Sequence, residues 1–188
     1  MKKKDICANL PVLETERLVL RKVRAEDAKD IFTYASNDAV SQFVTWNSHQ
    51  SLSDTQTFID FILQEYEDEN LACWGIVLKE NNRLIGTIDF VDWDTKNKVG
   101  EIGYVLSEEY WAQGIMTEAA IEVVNFGFKR MNLVRIQARC FVDNIGSETV
   151  MRKIGMRYEG TVRKALLAKG KHHNLKMYSI LQEEIDTI

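Results

Sequence analysis

The stretch Val99–Arg130, VGEIGYVLSEEYWAQGIMTEAAIEVVNFGFKR, decides how the rest of the chain is read. Its first eight residues, Val99 to Leu106, are mostly apolar with Glu101 as the charged exception, the pattern of a strand. From Ile115 to about Arg130, residues Met116, Ala120, Val123, Val124 and Gly127 recur at helical spacing and form one apolar face. Between them, Trp111-Ala112-Gln113-Gly114-Ile115-Met116 is a turn that opens directly onto the helix start. The first N–H groups of a helix lack partners within it and sit at the positive end of its dipole, so they suit a phosphate or pyrophosphate. Gly114 would let the main chain approach such oxygens with no side chain in the way. Taken alone, the same residues also fit a plain strand-to-helix connection.

Around this unit lies a chain of 188 residues, enough for one domain over 1–188 with a full-sized core, in which 1–10 are expected as a flexible polar tail. Hydrophobic residues make up 45% and charged residues 28%, ordinary for a soluble globular protein. A net charge of −4 argues against nucleic acid as the main partner. No apolar run approaches the ~20 residues of a membrane span, and no signal peptide follows Lys2-Lys3-Lys4, so no membrane partner is expected. Cys7, Cys73 and Cys140 are odd in number and lack metal-ligand spacing, so no metal is expected; Cys73 and Cys140 sit in apolar strand-like runs and read as buried thiols, which fits a reducing cytoplasm.

In chain order, Val12–Val23 alternates as a strand, and Ala28, Ile31, Phe32 and Ala35 share a helical face. Ser53 and Gln56 have the form of a capping box ahead of a helix that turns Phe58, Ile59, Ile62, Leu63 and Tyr66 inward. Ala72–Lys79 and Leu84–Trp93 are apolar runs joined by Glu80-Asn81-Asn82-Arg83, a hairpin turn by composition. After the long helix, Leu133–Val142 is a further strand, and Asn144 caps a short helix closed by Gly155. Two strands follow, around a turn at Ala168–His172. The order is strand, two helices, three strands, helix, strand, helix, two strands. That predicts a mixed α/β (α+β type) domain of about seven strands and four helices without the regular βαβ alternation of a Rossmann sheet.

This element order, together with LETERLVLR, YWAQGIMTEA, DNIGS, KIGM and GKHHNLKMYSIL, resembles the GNAT superfamily of acyl-CoA N-acyltransferases. Within it the chain is most similar to the ribosomal-protein-alanine N-acetyltransferases of the RimJ/RimL type, from Leu13 to Leu181. The resemblance implies a mostly antiparallel central sheet, acetyl-CoA as donor, a primary amine as acceptor, no metal, and a monomer or homodimer. It places the diphosphate on the amides of Gln113, Gly114, Ile115, Met116 and Thr117. The family pattern here is Arg or Gln, two residues, Gly, one residue, then Gly or Ala. This chain departs from it with Trp111, Ala112 and Met116, of which Met116 crowds the ligand unless it turns into the core.

By the same resemblance, a main-chain donor at Tyr104, Val105 or Leu106 polarises the thioester carbonyl. Glu101, on the strand that splays open in the family, is the candidate base and an acceptor contact; it equally fits an edge or surface carboxylate paired with a lysine. Glu118 reads better as a helix-dipole or anchoring residue. Many family members protonate the departing thiolate with a tyrosine four residues before the glycine read here as Gly155. That position is Met151, so Ser147 is the expected substitute, with Asn144 on the pantetheine arm; the alternative is a helix cap and a small inward residue. His172 and His173 point to opposite strand faces and cannot easily share an ion. His173 is followed by Asn174 where the family has Asp, which favours a structural role, although it remains an acceptor-site candidate. Tyr178 matches a family tyrosine or is simply packed.

Trp46, in the stretch Phe43–His49, is expected to line the acceptor pocket or to be a core residue. The sequence leaves three readings of the acceptor side: a protein amino terminus, a small amine (polyamine, amino acid or antibiotic), or a binding module without turnover.

Overall fold

The computed structural model describes residues 3–70 and 72–187. It forms one eight-stranded sheet in the order β1-β2-β3-β4-β5-β6-β8-β7. The strands are β1 (Leu13–Glu14), β2 (Leu18–Arg21), β3 (Ala72–Leu78), β4 (Leu84–Asp94), β5 (Val99–Leu106), β6 (Arg135–Phe141), β7 (Arg157–Ala168) and β8 (Lys171–Leu181). The helices are α1 (Lys3–Ala8), α2 (Ala28–Ala35), α3 (Asp38–Ser41), α4 (Leu52–Glu67), α5 (Ile115–Lys129) and α6 (Ile145–Lys153). Every neighbouring pair is antiparallel except β5 and β6. Those two are parallel because α5 carries the chain across one face between them.

The mixed, mostly antiparallel architecture is the one expected, with one more strand. The single strand expected over Val12–Val23 is broken at Thr15–Arg17, where Thr15 N–H donates to the Leu18 carbonyl and β1 folds back on β2. The break is tied down by α5, since the Thr15 hydroxyl and the Arg17 N–H both donate to Glu118. Two short helices, α1 and α3, also escaped the periodicity. The opening residues, expected as a polar tail, include α1, whose Ile6 and Cys7 are buried in the core. The capping box of α4 sits two residues earlier than expected. Ser51 accepts from the Asp54 N–H while the Asp54 carboxylate accepts from the Ser51 N–H, which also puts an acid in the first turn.

The two sheet faces are covered differently. On one, α5 lies close because Gly127 has no side chain; a Cβ there would meet Ile136 at 2.7 Å and Phe90 at 2.9 Å. Trp74 closes this face edge-on against Phe126 of α5. On the other face, Tyr66 of α4 donates its hydroxyl to the Cys73 carbonyl and accepts from the Val23 N–H. Strand alternation therefore sends Gly100, Ile102 and Tyr104 of β5 toward α5, and Glu101, Gly103 and Val105 toward the α4 side.

Candidate active site

The turn before α5 is shaped by backbone. Gly114 is the N-cap at φ 76°, a left-handed conformation that disfavours any Cβ, and no side chain caps the helix. The first N–H that α5 closes on itself is that of Glu118, which donates to the Gly114 carbonyl. The amides of Ile115, Met116 and Thr117 thus remain at the positive end of the helix. Met116 is buried in the core, so its side chain leaves the turn clear. Trp111 donates its indole N–H to the Leu106 carbonyl, and Gln113 donates to the Glu109 carbonyl, fixing the loop from both sides.

Arg17 adds a cation that nothing in the spacing of the chain singles out. Its Nε donates to Glu118 at 2.7 Å, Nη1 to the Gln113 carbonyl, and Nη2 lies 3.7 Å from where a Gly114 side chain would begin. Burial pushes the Glu118 carboxyl up, but the Thr15 hydroxyl and Arg17 hold it below the usual range. Glu118 is therefore an anchor between the β1–β2 turn and the α5 start. Beside it lies a cavity of about 330 Å³ lined by Glu16, Gly114, Thr117, Glu118, Ile121 and Lys153.

The second feature is a slot in the sheet. The β5–β6 ladder pairs Val99 with Arg135, Gly100 with Ile136 and Glu101 with Gln137, and stops there. Both strands run on, to Leu106 and Phe141. Main-chain groups of Tyr104, Val105 and Leu106 that face β6 consequently have no ladder partner. Across the gap, the Tyr104 hydroxyl lies 2.9 Å from the Ser147 hydroxyl and donates to the Ser147 carbonyl at 3.1 Å. Burial pushes the Tyr104 phenol above its ordinary value, so it is a neutral proton donor at neutral pH. Asn144 caps α6 by accepting from the Ser147 N–H at 3.0 Å, and its amide N–H₂ has no partner among the described residues. Met151 is fully buried. A phenol from β5, not from α6, stands beside Ser147, a contact between residues 43 apart that periodicity cannot reveal.

On the α4 side, Glu101 is buried with both oxygens taken, one by Gln137 Nε2 at 2.8 Å and the other by Arg139 Nε at 2.6 Å. Asp89 of β4 stands opposite Gly103 in the register, partly exposed, with its Oδ1 3.3 Å from where a Gly103 Cβ would lie. Burial pushes its carboxyl up to about 7. The sequence carried a signal for it, an acid inside the apolar run Leu84–Trp93, the same signal that singled out Glu101.

The aromatic candidates fall into two clusters. Trp46 stacks at 5.5 Å on His49, which reaches Phe58 and shares a hydrogen bond between its Nδ1 and the Thr55 hydroxyl. His173 meets Phe141 edge-on at 4.6 Å, and Phe141 in turn meets Phe43. Tyr178 is packed in the core and donates to Glu148, which also accepts from Lys176 and Arg152. No group of three or more His, Cys, Asp or Glu able to hold a metal occurs among the described residues.

With this geometry in place, the acetyltransferase (GNAT) domain family matches residues 17–157. The chain belongs to the GNAT acetyltransferase family. It is 34% identical over 172 residues to the N-acetyltransferase YoaA of Bacillus subtilis (strain 168), itself uncharacterised, covering 92% of this chain and 97% of that one. The crystal structure of a GNAT-family acetyltransferase from Bacillus anthracis superposes with a TM-score of 0.81 at 30% identity, covering 93% of this chain and all of that one. RimL, a ribosomal L7/L12 alpha-N-protein acetyltransferase solved with coenzyme A, shares the fold with a TM-score of 0.80 at 23% identity, covering 91% of this chain and 98% of RimL. As a GNAT acetyltransferase the protein is an N-acetyltransferase with acetyl-CoA as its donor, and its solved neighbours include the RimL type, as the resemblance implied.

Proposed function

We propose that this GNAT acetyltransferase acetylates the amino-terminal amine of a polypeptide, a ribosomal protein being the first candidate. The observation that carries the reading is the slot beyond Glu101 and Gln137, with a bare helix start on one side of the sheet and an open acceptor face on the other. When bound, acetyl-CoA supplies a thioester that an amine can attack.

The residues present fit that donor. The amides of Gln113, Gly114, Ile115, Met116 and Thr117 hold the diphosphate, assisted by Arg17, and Asn144 offers its free amide to the pantetheine arm. Unpaired main-chain donors among Tyr104, Val105 and Leu106 polarise the carbonyl. The paired hydroxyls of Tyr104 and Ser147 supply a proton to the departing sulfur. Glu101, locked by Gln137 and Arg139, lines the acceptor side, and Trp46 and His173 are the further candidate contacts of the acceptor.

A polypeptide is favoured over a small amine because the loop after α3 and the β7–β8 turn frame an open groove of about 610 Å³. Asp38, Ser41, Asn47, Ser48 and Lys169 line it, and Lys169 of the β7–β8 turn bridges to the Ser41 carbonyl at 2.6 Å. An enclosed pocket would suit a small amine better. RimL, which acts on the alpha-amine of a ribosomal protein, is the fold neighbour that suggests the acceptor class. We place the enzyme in the cytoplasm, as a monomer or homodimer, consistent with three buried cysteines that form no disulfide among the described residues.

The test is release of free coenzyme A across a panel of peptides, polyamines, amino acids and aminoglycosides. Peptide amino termini are expected to give kcat/KM at least tenfold above any small amine. A small amine as the best acceptor, or tight acetyl-CoA binding with no turnover on any amine, would overturn the reading.

A further inference from the structure

We propose that Asp89, rather than Glu101, accepts the proton that the acceptor ammonium must lose. This rests on the acetyl-transfer reading above and assigns a step that reading leaves open. The two acids share the α4 side of the sheet, Glu101 on β5 and Asp89 on β4 opposite Gly103. Their surroundings differ in the way that separates an anchor from a base. Glu101 has a donor on each oxygen, one of them a guanidinium, so its lone pairs are committed. Asp89 has no ion pair among the described residues, accepts from its own backbone N–H, and is partly exposed. The absent side chain of Gly103 lets that carboxylate lie over β5, its Oδ1 3.3 Å and Val91 Cγ1 2.7 Å from where a Cβ would be, on the strand where the ladder to β6 has ended.

The groups packed around Asp89 make it the titrating one. Cys73 of β3 stands opposite it in the register, Tyr66 from α4 donates to the Cys73 carbonyl, and Tyr34 from α2 is coupled electrostatically to Cys73. Burial raises all three above their ordinary values, so they stay neutral through the physiological range. On the neighbouring strands, Glu101 of β5 and Arg139 of β6 are held together as an ion pair. A carboxyl raised by burial to about 7 matches the working pH of a general base, whereas one in the ordinary range would hold a proton too weakly. In the step, one N–H proton moves from the ammonium to a carboxylate oxygen of Asp89, freeing the nitrogen lone pair. The proton then leaves to water along the exposed edge of the side chain.

Two measurements test the assignment. Carboxyl ¹³C NMR of the acetyl-CoA-free wild type, assigned by the signal lost in Asp89→Asn, is expected to show titration near pH 7; a midpoint below 5 overturns the proposal. In kcat/KM profiles on one peptide, Asp89→Asn is expected to lose the limb near pH 7 and about 100-fold in rate. Its affinity for acetyl-CoA should stay within twofold, and Asp89→Glu should restore the limb. Loss of the limb in Glu101→Gln with its retention in Asp89→Asn overturns the proposal and returns the role to Glu101. A wild type that turns over no amine sinks the functional reading and this step with it. Normal wild-type turnover with an unaffected Asp89→Asn sinks only this step.

Discussion

The proposed donor side and the proposed acceptor side of this enzyme are built in opposite ways. The first is local and made of backbone: one strand, one turn and one helix start within Val99–Lys129, with a left-handed Gly114 and uncapped amides. The second draws on side chains of β4, β5, β6, α4, the loop after α3 and the β7–β8 hairpin. A backbone site tolerates changes in side chains: Trp111, Ala112 and Met116 depart from the family pattern, and Met116 turns into the core. An assembly of side chains tolerates little.

The contrast breaks most sharply at Gly114. Gly114→Glu puts a bulky anion at the diphosphate and forces an L-residue to φ 76°, a strain of roughly 1–2 kcal/mol. Calorimetry is expected to show acetyl-CoA affinity falling more than 100-fold; unchanged affinity would remove the turn from the donor site. Next comes Tyr104→Phe, which takes the proton donor from the slot and should lower kcat by about 30- to 100-fold with donor affinity within threefold. Ser147→Ala should cost about tenfold in kcat, and a normal rate in steady-state assays would place Ser147 outside the mechanism. Arg17→Ala should weaken acetyl-CoA binding about tenfold while leaving kcat at saturation unchanged, since its guanidinium lies at the turn and not in the slot.

The smallest expected effects concern stability. Glu148 is held down to about 2 by Lys176, then by Tyr178 and Arg152. A carboxyl depressed on folding stabilises the protein above its unfolded value near 4.5 and loses that contribution as pH falls toward 2. Thermal unfolding should therefore find Glu148→Gln less stable than wild type at pH 7 and equal to it at pH 2. Asp89 has the opposite sign: its folded value lies above the unfolded one, so stability declines as pH rises from about 4 to 7. Asp89→Asn should raise Tm by a few degrees at pH 8 and by nothing at pH 3. A gain independent of pH would show that the carboxyl does not titrate between folded and unfolded states.

Much of the fold was legible because its signals are periodic and short-range. The bounds of β5 and the start of α5 follow from apolar spacing and one glycine, and Asn144 and Gly155 mark the ends of α6 as expected. The break at Thr15–Arg17 was not legible, since it depends on Glu118 a hundred residues away. Neither was α1, whose polar lysines hid the two residues, Ile6 and Cys7, that it buries. At the site, Glu101 and Ser147 could be picked from the chain, but their surroundings could not.

By itself the sequence determined the strand–turn–helix unit, the mixed sheet and the family, because hydrophobic period, turn residues and ordered motifs are written along the chain. Tertiary structure alone decided that Arg139 and Gln137 immobilise Glu101, that Tyr104 meets Ser147, and that Asp89 stands over Gly103 with no ion pair among the described residues. Those facts depend on which strands are neighbours and where a ladder stops, and hydrogen bonds and desolvation act across distances in space that chain order does not encode.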